Sequence, residues 1–163
     1  MESRAKLLGH PIHPMLIVLP LGLFIAAVAF DALYLWRGSR TFAAVAYWNI
    51  AAGVVGGLLA AVFGLIDWFA IPAGTRAKRI GLLHGASNVI VVAIFALVWL
   101  MRGNTADAIP TTNLFILEVI ALGLGSIGGW LGGEMVDRLG VGVDDGAHLD
   151  APSSLSGRPA RQK

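Results

Sequence analysis

The sequence contains no cysteine. That removes disulfides, thiolate metal sites, iron–sulfur ligation and covalent c-type haem attachment. Charge is scarce as well. Asp, Glu, Lys and Arg make up 13% of the 163 residues, against about 25% in a soluble domain. No basic patch is interleaved with aromatic or groove-reading elements, which sets nucleic acid aside as a partner. G-x-S-x-G, H-E-x-x-H and P-loop patterns are missing, so hydrolase and nucleotide-binding chemistry has no recognisable carrier. Ser87 lies close to His84 and Asn88 in sequence, but nothing completes a triad. After the charged start Met1 to Lys6, no small-residue cleavage pattern appears before Asp31. The first apolar run is therefore expected to stay in the mature chain.

What is present is apolar sequence in long blocks. The chain is 56% hydrophobic, with a mean hydropathy of +0.75. A helix needs about 20 apolar residues to cross the hydrocarbon core. Four stretches qualify: 15–36, 42–69, 80–101 and 113–135. Backbone groups must be satisfied inside lipid, so each is predicted to be a helix. The short connections between them predict an all-α, antiparallel four-helix membrane bundle. Residues 1–141 form that unit. The segment 142–163, rich in Asp, Ser, Pro, Gly and Ala, is expected to be a disordered tail.

Orientation follows from Lys and Arg in the flanks. Arg4, Lys6, Arg76, Lys78, Arg79, Arg138, Arg158, Arg161 and Lys163 fall on one side, and Arg37, Arg40 and Arg102 on the other. Both termini are therefore expected in the cytoplasm, with the bundle in the inner membrane. Trp36, Trp48, Trp68, Trp99 and Trp130 lie mostly near span ends, as an interfacial aromatic belt requires.

The polar residues of an up-down bundle sort by depth. His10 and His13 open the first span, Asp67 closes the second, His84 and Asn88 begin the third, and Glu134 closes the fourth. All six fall near the cytoplasmic ends, with Asp31 and Glu118 near the opposite ends. Ionisable residues inside a membrane are functional candidates by default. Gly81, His84, Gly85 and Asn88 share one helix face by their spacing. Gly53, Gly57, Ala60, Gly64 and Asp67 form a small-residue seam on the second span, and Gly125, Gly129 and Gly133 a stripe on the fourth. Glu134 lies about 100° from that stripe. Pro11 and Pro14 favour extended or turn backbone at His10 and His13. Pro14 suits a first helical turn, with His13 near the N-cap. Pro20 is predicted to kink the helix and free a carbonyl.

Three chemistries fit this layer. Haem b would take His84 and either His10 or His13 as axial ligands, with glycines clearing the macrocycle. Zn or Fe would use His10, His13, His84 and Asp67, with Glu134 as an outlying candidate. A proton-sensing or purely structural layer needs no cofactor.

The stretches "GHPIHPMLIVLPLGLFIAAVAFD" (9–31), "GLIDWFAIPAG" (64–74), "LLHGASN" (82–88) and "GGWLGGEMVDRLGVGV" (128–143) together resemble the bacterial membrane family called domain of unknown function 2231. The resemblance covers nearly all the chain except the tail. It implies a four-span integral membrane protein rather than a particular reaction. The family's histidines correspond to His10, His13 and His84, and its aspartates to Asp31 and Asp67. Some relatives carry a histidine where Glu134 stands. Relatives joined to Rieske-type or cytochrome c-like domains imply an association with electron transfer. No such domain is attached here, so an electron partner is expected to be a separate protein, and a homo-oligomer is a further expectation. The leading expectation is a b-type haem or metal-binding redox subunit, not an enzyme by itself. Asp67 and Asn88 would orient the imidazoles through their second ring nitrogen.

Overall fold

The computed structural model describes residues 1–103 and 106–160. Arg161 and Lys163, which enter the flanking-charge comparison, lie outside the described residues. Two short strands, β1 (Lys6–Leu7) and β2 (His10–Pro11), form an antiparallel hairpin at the entrance. Leu8 and Gly9 turn it with positive φ values of 51° and 85°. Five helices follow: α1 (Ile12–Leu16), α2 (Val18–Arg37), α3 (Arg40–Ala70), α4 (Arg76–Gly103) and α5 (Thr112–Gly133). A π-helical turn, Glu134–Arg138, extends the last.

Helices α1 and α2 make one continuous span, Ile12–Arg37, interrupted at Ile17. The cause is Pro20. It has no N–H to give the carbonyl four residues back, that of Leu16, and the ladder breaks there. The other three spans are Arg40–Ala70, Arg76–Gly103 and Thr112–Arg138. All four are long and apolar enough to cross a membrane. The first begins earlier than the sequence predicts. Pro11 is the N-cap, so His13 sits inside the first turn rather than at its edge.

The helices are antiparallel by register. Going down α2, Phe24, Pro20 and then His13 on α1 lie against Gly53, Gly56 and Gly64 of α3. Going down α4, Val91, Asn88 and His84 lie against Gly125, Gly128 and Gly132 of α5. Reversal after α2 takes Gly38 in the left-handed region, φ 71°, with its N–H donating to the Tyr34 carbonyl. Thr111 caps α5, accepting from the Leu114 N–H.

The interior is narrow. Phe24, Ala27, Ala46, Ile50, Val91, Phe95, Val98, Leu114 and Ala121 form its core. Large apolar side chains such as Leu19, Val55, Leu58, Leu97, Ile120 and Ile127 point outward. In water this would be an inverted protein; in lipid it is the expected arrangement, because packing rather than water exclusion joins the helices. Glycine is what lets them approach. A Cβ at Gly53 would stand 2.5 Å from the Phe24 ring, and one at Gly57 2.7 Å from Val92.

The N-terminal segment is tied across one end of the bundle. Asp67, near the end of α3, accepts from the Ser3 hydroxyl at 2.7 and 2.8 Å and from the Arg4 and Ala5 amides at 2.7 and 3.2 Å. The segment after α5 runs back over it. The Met1 ammonium donates to the Gly140 carbonyl, the Gly142 amide donates to the Met1 carbonyl, and Lys6 pairs with Asp144 and Glu2. A 3-10 turn at Ser154–Ser156 lies against the entrance hairpin beside Gly9.

Candidate functional site

Two histidines meet at one end of the bundle. His13 comes from α1 and His84 from α4, with ring centroids 6.0 Å apart and planes at 84°. Each ring is fixed in the same way. His13 Nδ1 lies 2.9 Å from the Ala60 carbonyl of α3. His84 Nδ1 lies 2.8 Å from the Gly128 carbonyl of α5. A carbonyl only accepts, so Nδ1 carries the proton in both rings. In the neutral form of a ring held this way, Nε2 is the nitrogen that carries the lone pair and can act as a ligand or proton acceptor.

One turn beyond each carbonyl is a glycine that makes room for the ring. A Cβ on Gly64 would stand 3.0 Å from the His13 ring, and one on Gly132 3.1 Å from the His84 ring. Asn88 packs beside the pair. Its amide donates to the His84 carbonyl at 2.8 Å and stands 3.4 Å from both ring nitrogens.

The remaining sequence candidates are elsewhere. His10 is exposed on β2, its Nε2 3.4 Å from the Ser154 hydroxyl. Its ring lies beside the 3-10 turn of the C-terminal segment. The Asp67 carboxylate is occupied by Ser3, Arg4 and Ala5 and holds the N-terminus rather than an imidazole. Glu134 pairs with Arg76 at 2.6 Å. The expected set His10, His13, His84 and Asp67 is thus not assembled. Among the described residues, no group of three or more His, Asp or Glu side chains is placed to hold a metal ion.

A second polar centre lies at the other end of the bundle. Arg102, Asp31 and Glu118 are each fully buried. Arg102 Nη1 lies 2.6 Å from Asp31 Oδ2 and 3.6 Å from Glu118 Oε1. Its Nε and Nη2 donate to the Ala108 and Ala43 carbonyls, both at 2.9 Å. The sequence reading places Arg102 in a flank and Asp31 and Glu118 near the span ends, without joining them.

A signal for that grouping does exist. His13 and His84 are 71 positions apart. So are Phe24 and Phe95, which stack at 4.0 Å with planes 2° apart, and Asp31 and Arg102. The facing helices repeat with an offset of 68: Gly57 and Gly125, Ala60 and Gly128, Gly64 and Gly132. The bundle is two like hairpins around a pseudo-twofold axis. His13–His84, Phe24–Phe95 and Asp31–Arg102 lie along it in that order. From His13 to Asp31 is about 27 Å of helix, close to the thickness of the hydrocarbon core, about 30 Å.

The fold and this axis define an all-helical, four-span integral membrane protein with an imidazole pair at one end and a buried ion-pair cluster at the other. The chain belongs to the family described as predicted membrane protein (DUF2231), which it matches over residues 9–145. No curated protein and no solved structure matches it.

Proposed function

We propose that the working site is the His13–His84 pair and that it binds one borderline metal ion, Zn or Fe, through two Nε2 atoms. The observation that carries this is the matched pair of Nδ1–carbonyl hydrogen bonds, which fix both rings in the ligand-presenting tautomer. The spacing is close. Two imidazoles sharing an ion at bonds of roughly 2.0–2.1 Å and a tetrahedral angle have centroids about 5 Å apart, so the rings, now 6.0 Å apart, would close slightly on binding. The other coordination positions would be open to water or substrate. Asn88 and the two carbonyls hold the rings in place.

Haem b fits this packing poorly. A macrocycle needs a slot across the line joining its two axial ligands. The glycine clearances beside that line are already filled by the chain's own side chains: His13 at Gly64, His84 at Gly132, and Ser87 and Asn88 at Gly128. A redox role for an iron-loaded pair would draw electrons from a separate protein. The alternative is a cofactor-free, proton-responsive module, favoured by the close approach of two imidazoles.

Placement in the inner membrane with cytoplasmic termini is part of the same proposal. Arg102 is buried, so the flanking basic residues on its side reduce to Arg37 and Arg40 against nine opposite. That strengthens the bias. Residues 142–163 form the polar tail on the cytoplasmic side.

The test is metal content and an optical spectrum of protein purified in mild detergent. The expected result is near one Zn or Fe per chain, lost in His13→Ala and His84→Ala and kept in His10→Ala. A stoichiometric Soret band would overturn the small-ion reading in favour of haem. Metal-free protein after loading, with the fold intact, would leave the proton-responsive module.

A further inference from the structure

The Arg102 cluster contains two carboxyls for one cation. Asp31 Oδ1 and both Glu118 oxygens are buried with no hydrogen-bond donor among the described residues. Both carboxyls converge on the same Arg102 Nη1. An ionised carboxylate only accepts, so two of them at one donor leave acceptors without donors. Asp31 already has Arg102 at 2.6 Å; Glu118 has it only at 3.6 Å. A second full negative charge in this apolar interior would go uncompensated, which is a severe cost. One proton resolves both difficulties. It neutralises the extra charge and turns one acid into a donor for the other.

We propose that Asp31 and Glu118 form a proton-binding site, occupied at neutral pH, with the proton seated on Glu118. The titratable and charged groups around the cluster are Asp31 on α2, Arg102 on α4 and Tyr47 on α3, whose ring lies 5.8 Å from the Arg102 guanidinium carbon. Tyr47 stacks on Trp99. Guanidinium contact makes the site unsuited to a metal cation and leaves the proton as its ligand. This centre is independent of the imidazole pair, about 27 Å away along the helices. Its proton comes from water and leaves only when the bundle end opens, because all three side chains are fully covered.

Infrared spectroscopy on the full chain in detergent or lipid tests this. Protein labelled with 13C-carboxyl glutamate should show a protonated carboxyl C=O band at neutral pH, shifted by the label. Glu2 and Glu134 are paired with Lys6 and Arg76 and should contribute only ionised bands. The shifted band should vanish in folded Glu118→Gln, which preserves the shape of the neutral acid. No protonated glutamate at neutral pH overturns the proposal. So does a band that survives in folded Glu118→Gln, or one that shifts only with labelled aspartate. Should Glu118→Gln fail to fold, the labelled wild-type protein alone still decides the question.

Discussion

Asp31 and Arg102 occupy the same place in the two hairpins, 71 residues apart in sequence, and meet at 2.6 Å with neither side chain reached by solvent. They are equivalent by position and opposite in charge. The contact joins α2 to α4 across the axis. Arg102 also holds α3 through the Ala43 carbonyl and the turn before α5 through the Ala108 carbonyl.

Removing one partner strands the other. Arg102→Met should destabilise the bundle by about 3–5 kcal/mol, the usual cost of an unpaired buried charge. Asp31→Asn should cost less, because Glu118 stands 3.6 Å from Arg102 and can ionise in its place. The double variant Asp31→Asn/Arg102→Met should recover part of the loss, so the single effects should not add. A denaturant series in mild detergent measures all three. Additive losses would mean that the pair is not coupled.

The glycines beside the imidazoles should be intolerant in a way that others are not. Gly64→Ala and Gly132→Ala each place a methyl 3.0–3.1 Å from a histidine ring and should displace it. Gly129→Ala meets nothing within 4 Å. It should be neutral or should stabilise α5 by up to about 1 kcal/mol through helix propensity. Thermal unfolding combined with histidine side-chain NMR separates these outcomes.

Asp67 should behave as an anchor and not as a ligand. In Asp67→Ala the Ser3 hydroxyl and the Arg4 and Ala5 amides lose their acceptor. Each unsatisfied group costs about 1–3 kcal/mol when buried, less where water replaces the partner. The N-terminus should then become sensitive to proteolysis. The histidine resonances of the His13–His84 pair should remain where they are. A shift in those resonances with an intact N-terminus would contradict this assignment.

The strap formed by the two termini should hold only within a pH window. The Lys6 ammonium beside Glu2 holds the Glu2 carboxyl below its usual value, helped by the Asp145 amide. Asp144 and then Glu2 raise the Lys6 ammonium above its usual value. A lowered carboxyl stabilises above its unfolded value and loses that contribution as pH falls through the folded one. A raised ammonium stabilises below its unfolded value and loses that contribution as pH rises through the folded one. The strap should therefore be tight from mildly acidic to moderately alkaline pH and loosen on either side. Hydrogen exchange at the Gly142 and Asp145 amides, bonded to the Met1 carbonyl and Glu2, reports it. High salt should widen the loosening, since these groups are near the surface.

The four spans were legible because lipid leaves the backbone so little choice. A run of apolar residues of the right length has to be a helix, and the observed ends differ from 15–36, 42–69, 80–101 and 113–135 by up to several residues. The family was legible from the paired HP steps and three later stretches. His84 and Asn88 were grouped by face, and His13 with them by depth. Depth alone could not separate them from His10, Asp67 and Glu134. All six share a level, but the hairpin at Leu8 and Gly9 directs His10 outward, and the N-terminal amides claim Asp67. Arg102 was misplaced for a related reason. A cation at the end of an apolar run reads as a flank unless its partner is known, and that partner is on another helix. The equal separations of His13–His84, Phe24–Phe95 and Asp31–Arg102 would have exposed it.

Those separations also bear on how the chain must associate. Two identical hairpins brought together about the same axis would set aspartate against aspartate, or arginine against arginine, at its far end. Neither arrangement reproduces the Asp31–Arg102 contact. Only unlike halves complete it. Covalent linkage of the two hairpins guarantees one of each, so a bundle assembled from two copies of either half would lack this contact even where every glycine and aromatic contact matched.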